Sequence, residues 1–148
     1  MNISESMIRY YLRNITMGWF DPEDEPPEDI TEYYKCVQDM KLHAVNHNDL
    51  DALKLGLEYL LAHPELDYTK FSGGRYPYEP EEVREIIYYA WKTIWPDSEP
   101  VSDSTLLAVK LVRMTLEEWW ESRGHKPGQK KADAKELFDN KFRGSLLG

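Results

Sequence analysis

Residues 103–123 read DSTLLAVKLVRMTLEEWWESR, and how this stretch folds decides the architecture of the whole chain. If Asp103 caps a helix, the apolar positions Leu106, Leu107, Val109, Leu111, Val112, Met114, Leu116, Trp119 and Trp120 cover most of its circumference. Only a narrow strip of Lys110, Arg113, Glu117 and Glu121 stays polar. A helix apolar nearly all round belongs inside a protein, with other helices packed about it. The expected fold is therefore all-α: a compact, single-domain bundle of about six helices around a central helix at residues 104–123.

The flanking sequence supplies the surrounding helices. Residues 80–95 open on Pro80, well suited to a first helical turn, and place Val83, Ile86, Ile87, Ala90, Trp91, Ile94 and Trp95 at helical spacing before Pro96 stops the run. Residues 50–63 carry Leu50, Leu53, Leu57, Leu60 and Leu61 on one face, with Asn48 or Asp49 as the cap and residues 30–46 as the preceding arm of a helical hairpin. Ala52 and Gly56, four apart at the edge of that stripe, leave room for a neighbouring helix to approach closely. At the start, Ser4 reads as an N-cap, followed by Met7, Ile8, Tyr11, Leu12 and Ile15. Between residues 65 and 79 the helical pattern fails, and YTKFSGGRYPY reads as a loop or as a short β-hairpin at residues 69–78 turning on Gly73 and Gly74.

At 148 residues, roughly 70% of the unfolded surface can be buried, so one core suffices without cross-links. The single cysteine, Cys36, cannot form an internal disulfide. Residues 1–14 lack the apolar run of a signal peptide and no stretch approaches the ~20 apolar residues of a membrane span, which gives a cytoplasmic expectation with no membrane partner.

The net charge of −9 is unevenly distributed: residues 123–148 carry +4 and the remainder −13. This divides the chain into an acidic helical domain, residues 1–124, and a basic segment, residues 125–148, read as a linker with a short helix docked on the domain. An acidic body disfavours broad contact with nucleic-acid phosphate or anionic lipid. The basic segment keeps one nucleic-acid reading open, with Lys126, Lys130, Lys131 and Lys135 as phosphate contacts.

Residues 21–29 hold six acids and three prolines. Asp21, Glu23, Asp24, Glu25, Glu28 and Asp29 form either a solvated loop or a negative surface that steers a basic partner. The aromatic residues Trp19, Tyr76, Tyr78, Tyr88 and Tyr89, with Arg75, are the candidate anchors beside it.

One cluster has metal-ligand character. Cys36, Asp39, His43 and His47 fall on one helical stripe at spacings of three, four and four. Four ligands on one straight helix cannot close a tetrahedron, and the adjacent stripe of Tyr33, Val37, Met40 and Ala44 makes the edge of a buried face the simpler account. No HExxH, CxxC, nucleophile elbow or glycine-rich phosphate loop occurs. No cofactor is expected, and the reading leans away from an enzyme. The first functional expectation is a non-enzymatic protein-binding module, such as an inhibitor, an immunity-type protein or a small subunit of a complex, that meets a basic macromolecule with its acidic, aromatic surface. Behind it stand a nucleic-acid accessory factor acting through the basic segment and a metal-dependent enzyme using the His43 and His47 cluster.

Overall fold

A computed structural model of the chain describes residues 1–20, 23–99 and 103–124. The all-α expectation holds. Strand β1 (Asn2–Ser4) leads into α1 (Glu5–Thr16); α2 (Tyr34–Asn46) and α3 (Leu50–Ala62) form the hairpin; then come α4 (Pro80–Ile94), α5 (Asp103–Leu107), β2 (Lys110–Val112) and α6 (Leu116–Ser122). Short 3₁₀ turns at Gly18–Phe20, Ile30–Tyr33 and Tyr68–Phe71 join them.

Local chemistry explains most of these boundaries. Ser4 sits in extended backbone and its Oγ accepts from the Met7 amide at 3.1 Å, which starts α1. The Glu79 and Glu82 pair forms a reciprocal capping box at the start of α4, beside Pro80. Between α2 and α3 the chain reverses at Asn48, whose φ of 59° lies in the left-handed region that asparagine tolerates. That turn lets the Asp49 amide donate to the Ala44 carbonyl at 2.8 Å.

The stretch expected to form the central helix is instead three elements. Residues 103–107 make little more than one turn, and Leu107 is left 87% exposed. The chain then extends into β2, which pairs in parallel with β1 and sets Ile3 opposite Leu111. It turns helical again only at Thr115, where Thr115 and Glu118 cap each other's backbone amides. Two features favour the break: Val112, within β2, is β-branched and suits a pleated surface, and Thr115-x-x-Glu118 is a helix start signal inside the run. Ser4 Oγ donates to the Met114 carbonyl at 2.8 Å and holds the two ends of this small sheet together.

The central position falls to α1. Met7, Ile8, Tyr11, Leu12 and Ile15 are fully buried, and α1 packs on α2, α3 and α6. At Gly56 of α3 the side chains of α1 and β1 approach closely: a Cβ there would lie 2.7 Å from Ile8 Cδ1 and 3.5 Å from Ile3 Cγ2.

The hairpin considered for residues 69–78 is absent. Asp67 caps the Tyr68–Phe71 turn by accepting from the Thr69 amide, and Tyr68 Oη donates to the carbonyls of Leu60 and His63 at 2.7 and 2.9 Å. Phe71 is buried and Tyr78 is drawn inward, where its hydroxyl pairs with that of Tyr33 at 3.0 Å. Side chains anchored to the core thus replace strand pairing.

Replacing Gly56 by Val should lower unfolding stability by about 1–3 kcal/mol through overpacking against Ile8. Urea denaturation followed by circular dichroism reads this as a lower midpoint at unchanged slope; an unchanged midpoint would contradict the close approach of α1 to α3.

Candidate functional site

The best-defined polar cluster is centred on Asp49, which is completely buried. Its carboxylate accepts from Tyr11 Oη at 2.5 Å and Trp120 Nε1 at 2.9 Å on one oxygen, and from Trp119 Nε1 at 3.1 Å on the other. Arg123 Nε lies 3.1 Å from that second oxygen, an ion-pair contact poorly aligned for a hydrogen bond. The same guanidinium donates to the Asn48 carbonyl at 2.7 Å and to Asp51 at 2.9 Å, and lies 5.1 Å from the Trp119 ring centre. Burial, the charge of Asp49 and the hydrogen bond to it push the Tyr11 phenol far above its ordinary range, so it remains a donor. His47 Nδ1 sits 3.1 Å from the same hydroxyl, in position to donate to it.

This network stands behind a cleft of about 760 Å³ between α1 and α2. Tyr10, Arg13, Cys36, Asp39 and His43 line it, and Met17 and Phe20 close one end. Tyr10 links cleft to network, with its ring edge-on to Tyr11 at 5.0 Å and to Trp120 at 5.8 Å. Three of the four residues on the candidate metal stripe therefore share this cleft, while His47 points into the Asp49 network and is buried. Among the described residues no group of three or more His, Cys, Asp and Glu side chains converges as a metal site.

The titration directions in the cleft are those of partly dry groups. Burial, reinforced by Asp39, raises the Cys36 thiol pKa. Burial likewise raises Asp39, against the pull of Lys35 and His43, and lowers His43, against the pull of Asp39. A thiol shifted this way is a poor nucleophile at neutral pH.

A second cleft, of about 570 Å³, adjoins the first through Met17 and Phe20. Glu23 and Asp24 form one side; Arg75, Tyr76 and Pro77 form the other. Phe20 and Tyr76 stack at 5.3 Å. Trp19 donates its indole hydrogen to the Glu25 carbonyl at 2.7 Å and meets Tyr33 edge-on at 5.4 Å, which folds the acidic segment back against the body.

The remaining candidate contact residues divide by location. Glu25 and Glu28 are exposed. Asp29 caps the Ile30–Tyr33 turn, its carboxylate held below the ordinary range by hydrogen bonds from the Thr31 amide and hydroxyl. Tyr78 is buried against Tyr33, and half-buried Tyr89 donates to the Thr31 carbonyl at 3.3 Å. Tyr88 is 51% exposed but lines a different depression, between α3, α4 and α5. Asp21, the phosphate candidates Lys126, Lys130, Lys131 and Lys135, and the expected docked helix lie outside the described residues.

Sequence reading missed the Asp49 network, having taken that residue for a helix cap. The available signal was Trp119 beside Trp120: adjacent indoles that are both buried need acceptors, and a buried carboxylate supplies two. No family model matches this chain, and neither a curated protein nor a solved structure matches it.

Asp49→Asn presents an amide group where a carboxylate oxygen now accepts, leaving at least one buried donor unmet and Arg123 with Asp51 as its one remaining carboxylate among the described contacts. The expected loss is about 3 kcal/mol in urea unfolding, with a changed tryptophan emission; a loss within the error of the measurement would remove Asp49 from its central role.

The raised thiol gives a second test. Alkylation of Cys36 by iodoacetamide should be slower than that of free cysteine at neutral pH and should still be climbing as pH passes about 9. A rate that levels off below about pH 8 would mean a thiolate at neutral pH.

Proposed function

We propose that this chain is a cytoplasmic, non-enzymatic binding protein that engages a basic protein partner through the face where the acidic segment meets the Tyr76 loop. The supporting observation is the composition of the second cleft. Two segments far apart in sequence bring the exposed carboxylates of Glu23 and Asp24 alongside the stacked rings of Phe20 and Tyr76, with Met17, 47% exposed, at its junction with the first cleft. Carboxylates raise the encounter rate with a positively charged surface, and rings and a thioether supply the apolar contact that keeps the complex together. The raised Cys36 thiol in the adjoining cleft supports a binding reading over a thiol-based reaction.

Mass spectrometry of proteins retained by the immobilised chain tests this reading, using the wild type, Tyr76→Ala and the Glu23→Lys, Asp24→Lys double variant. A true partner is retained by the wild type, falls off as salt rises from about 0.1 M to about 0.5 M, and is lost to both variants while their circular dichroism is unchanged. With that partner purified, the charge reversal should slow association by about tenfold or more, and Tyr76→Ala should act mainly on dissociation. Retention indifferent to salt and to both variants would rule this face out.

A further inference from the structure

The cleft between α1 and α2 has two unlike ends. The helices run antiparallel, so Tyr10 and His43 stand at one end and Met17, Phe20 and Cys36 at the other. Just past the first end lie His47 and Trp120, whose rings are 5.9 and 5.8 Å from that of Tyr10. Trp120 belongs to α6, and the described chain ends four residues later at Gly124, whose φ of 88° turns it off the helix. Arg123, just before, donates to the carbonyl of Asn48, the neighbour of His47. The chain is therefore released at the Tyr10 end of the cleft. Past the other end, through Met17 and Phe20, lie Glu23 and Asp24.

The wall between these ends is only half closed: Tyr10, Phe20 and Cys36 are half-buried and Met17 is exposed. A groove lined by rings and a thioether, with carboxylates at its far end, fits a cover that is apolar and cationic.

The continuing sequence has that character. Residues 125–148 hold six of the chain's eighteen basic residues and only three of its twenty-seven acids. Residues 131–143 read KADAKELFDNKFR and place Ala134, Leu137, Phe138 and Phe142 on one helical stripe. On the same winding Lys131, Lys135 and Lys141 fall in the half of the circumference that carries the stripe, and Asp133, Glu136 and Asp139 fall in the opposite half. A helix that meets only water on its polar side gains nothing from sorting its charges this way, whereas one facing an acidic body does. The lengths also agree. Residues 125–130 reach up to about 20 Å when extended, and a helix over 131–143 is about 20 Å long, enough to follow the roughly 10 Å from His43 to Cys36 and continue to Glu23 and Asp24.

We propose that residues 131–143 dock as a helix in the cleft between α1 and α2 of their own chain, entering beside Tyr10 and ending at Glu23 and Asp24. Leu137, Phe138 and Phe142 lie against Tyr10, Met17 and Phe20, Lys141 reaches the two acids, and the segment covers Cys36. A basic partner at the second cleft competes with the end of this segment, but the docking does not depend on that partner.

Cys36 is the only cysteine and lines the covered cleft, so its alkylation by iodoacetamide in the full chain, at one fixed pH, reads docking directly. The Phe138→Asp, Phe142→Asp double variant should react at least about fivefold faster than the wild type, because only the undocked fraction exposes the thiol. Asp133→Lys with Glu136→Lys, on the opposite half of the winding, should leave the rate unchanged or slow it. Carbodiimide cross-linking of the wild type, which needs no variant, should join Lys141 to Glu23 or Asp24 within one molecule. Equal alkylation of the wild type and the phenylalanine variant would overturn the proposal. So would cross-links from Lys141 that reach other acids alone or form only between molecules.

Discussion

The fold depends on how one carboxylate is accommodated without water. Asp49 is completely buried, and a charge in that position is tolerated only when hydrogen bonds replace its hydration. Tyr11 from α1 and two indoles from α6 provide them, and Arg123 adds a counter-charge just beyond α6. Because the acceptor sits in the turn between α2 and α3, these contacts tie four helices to one point. The same bonds satisfy the polar atoms of three large aromatic side chains, so the rings can fill the core around Met7, Leu12 and Met40 with no indole or hydroxyl stranded. Neither the acid nor the rings would be stable in the interior alone.

This arrangement also fixes what remains at the surface. With Tyr11 held by Asp49, Tyr10, the next residue round α1, packs edge-on against it and forms part of the wall of the α1 and α2 cleft. His47 is engaged by Tyr11 and Trp120, so of the four residues on the stripe Cys36, Asp39 and His43 are the ones that line that cleft. A stripe that sequence spacing presents as four equivalent ligands is thus divided by depth: its last member belongs to the core and the other three border solvent.

Where periodicity and capping chemistry agree, the sequence is readable. Ser4, Pro80 and Asn48 each lie within two residues of the boundary they signal, and the buried faces of α1 and α4 are the ones their spacing predicts. Residues 103–123 are different because a run of apolar residues has no single period. Leu106, Val109, Trp119 and Trp120 are buried in three separate local geometries, and nothing short of the partner strand at Ile3 distinguishes them. A strand of three residues leaves almost no alternation to detect, and its partner lies over a hundred positions away. The meeting of Glu23 and Asp24 with Tyr76 was hidden for the same reason: each segment looked like a contact surface, but their adjacency is a tertiary fact set by the stacking of Phe20 on Tyr76.

The two buried acids, Asp49 and Glu58, show that burial alone does not decide how well a carboxylate is served by donors. Asp49 and Glu58 both accept from tryptophan and both have a basic neighbour, so burial and charge do not tell them apart. Satisfaction does. Both oxygens of Asp49 are engaged by donors from distant parts of the chain, and any ligand would have to displace bonds that hold helices together. Glu58 concentrates its donors on one oxygen and leaves the other buried without a partner. The packing around Glu58 shuts its Oε2 off from solvent, so the unmet oxygen is a cost that the Lys54 and Trp91 contacts on Oε1 have to offset.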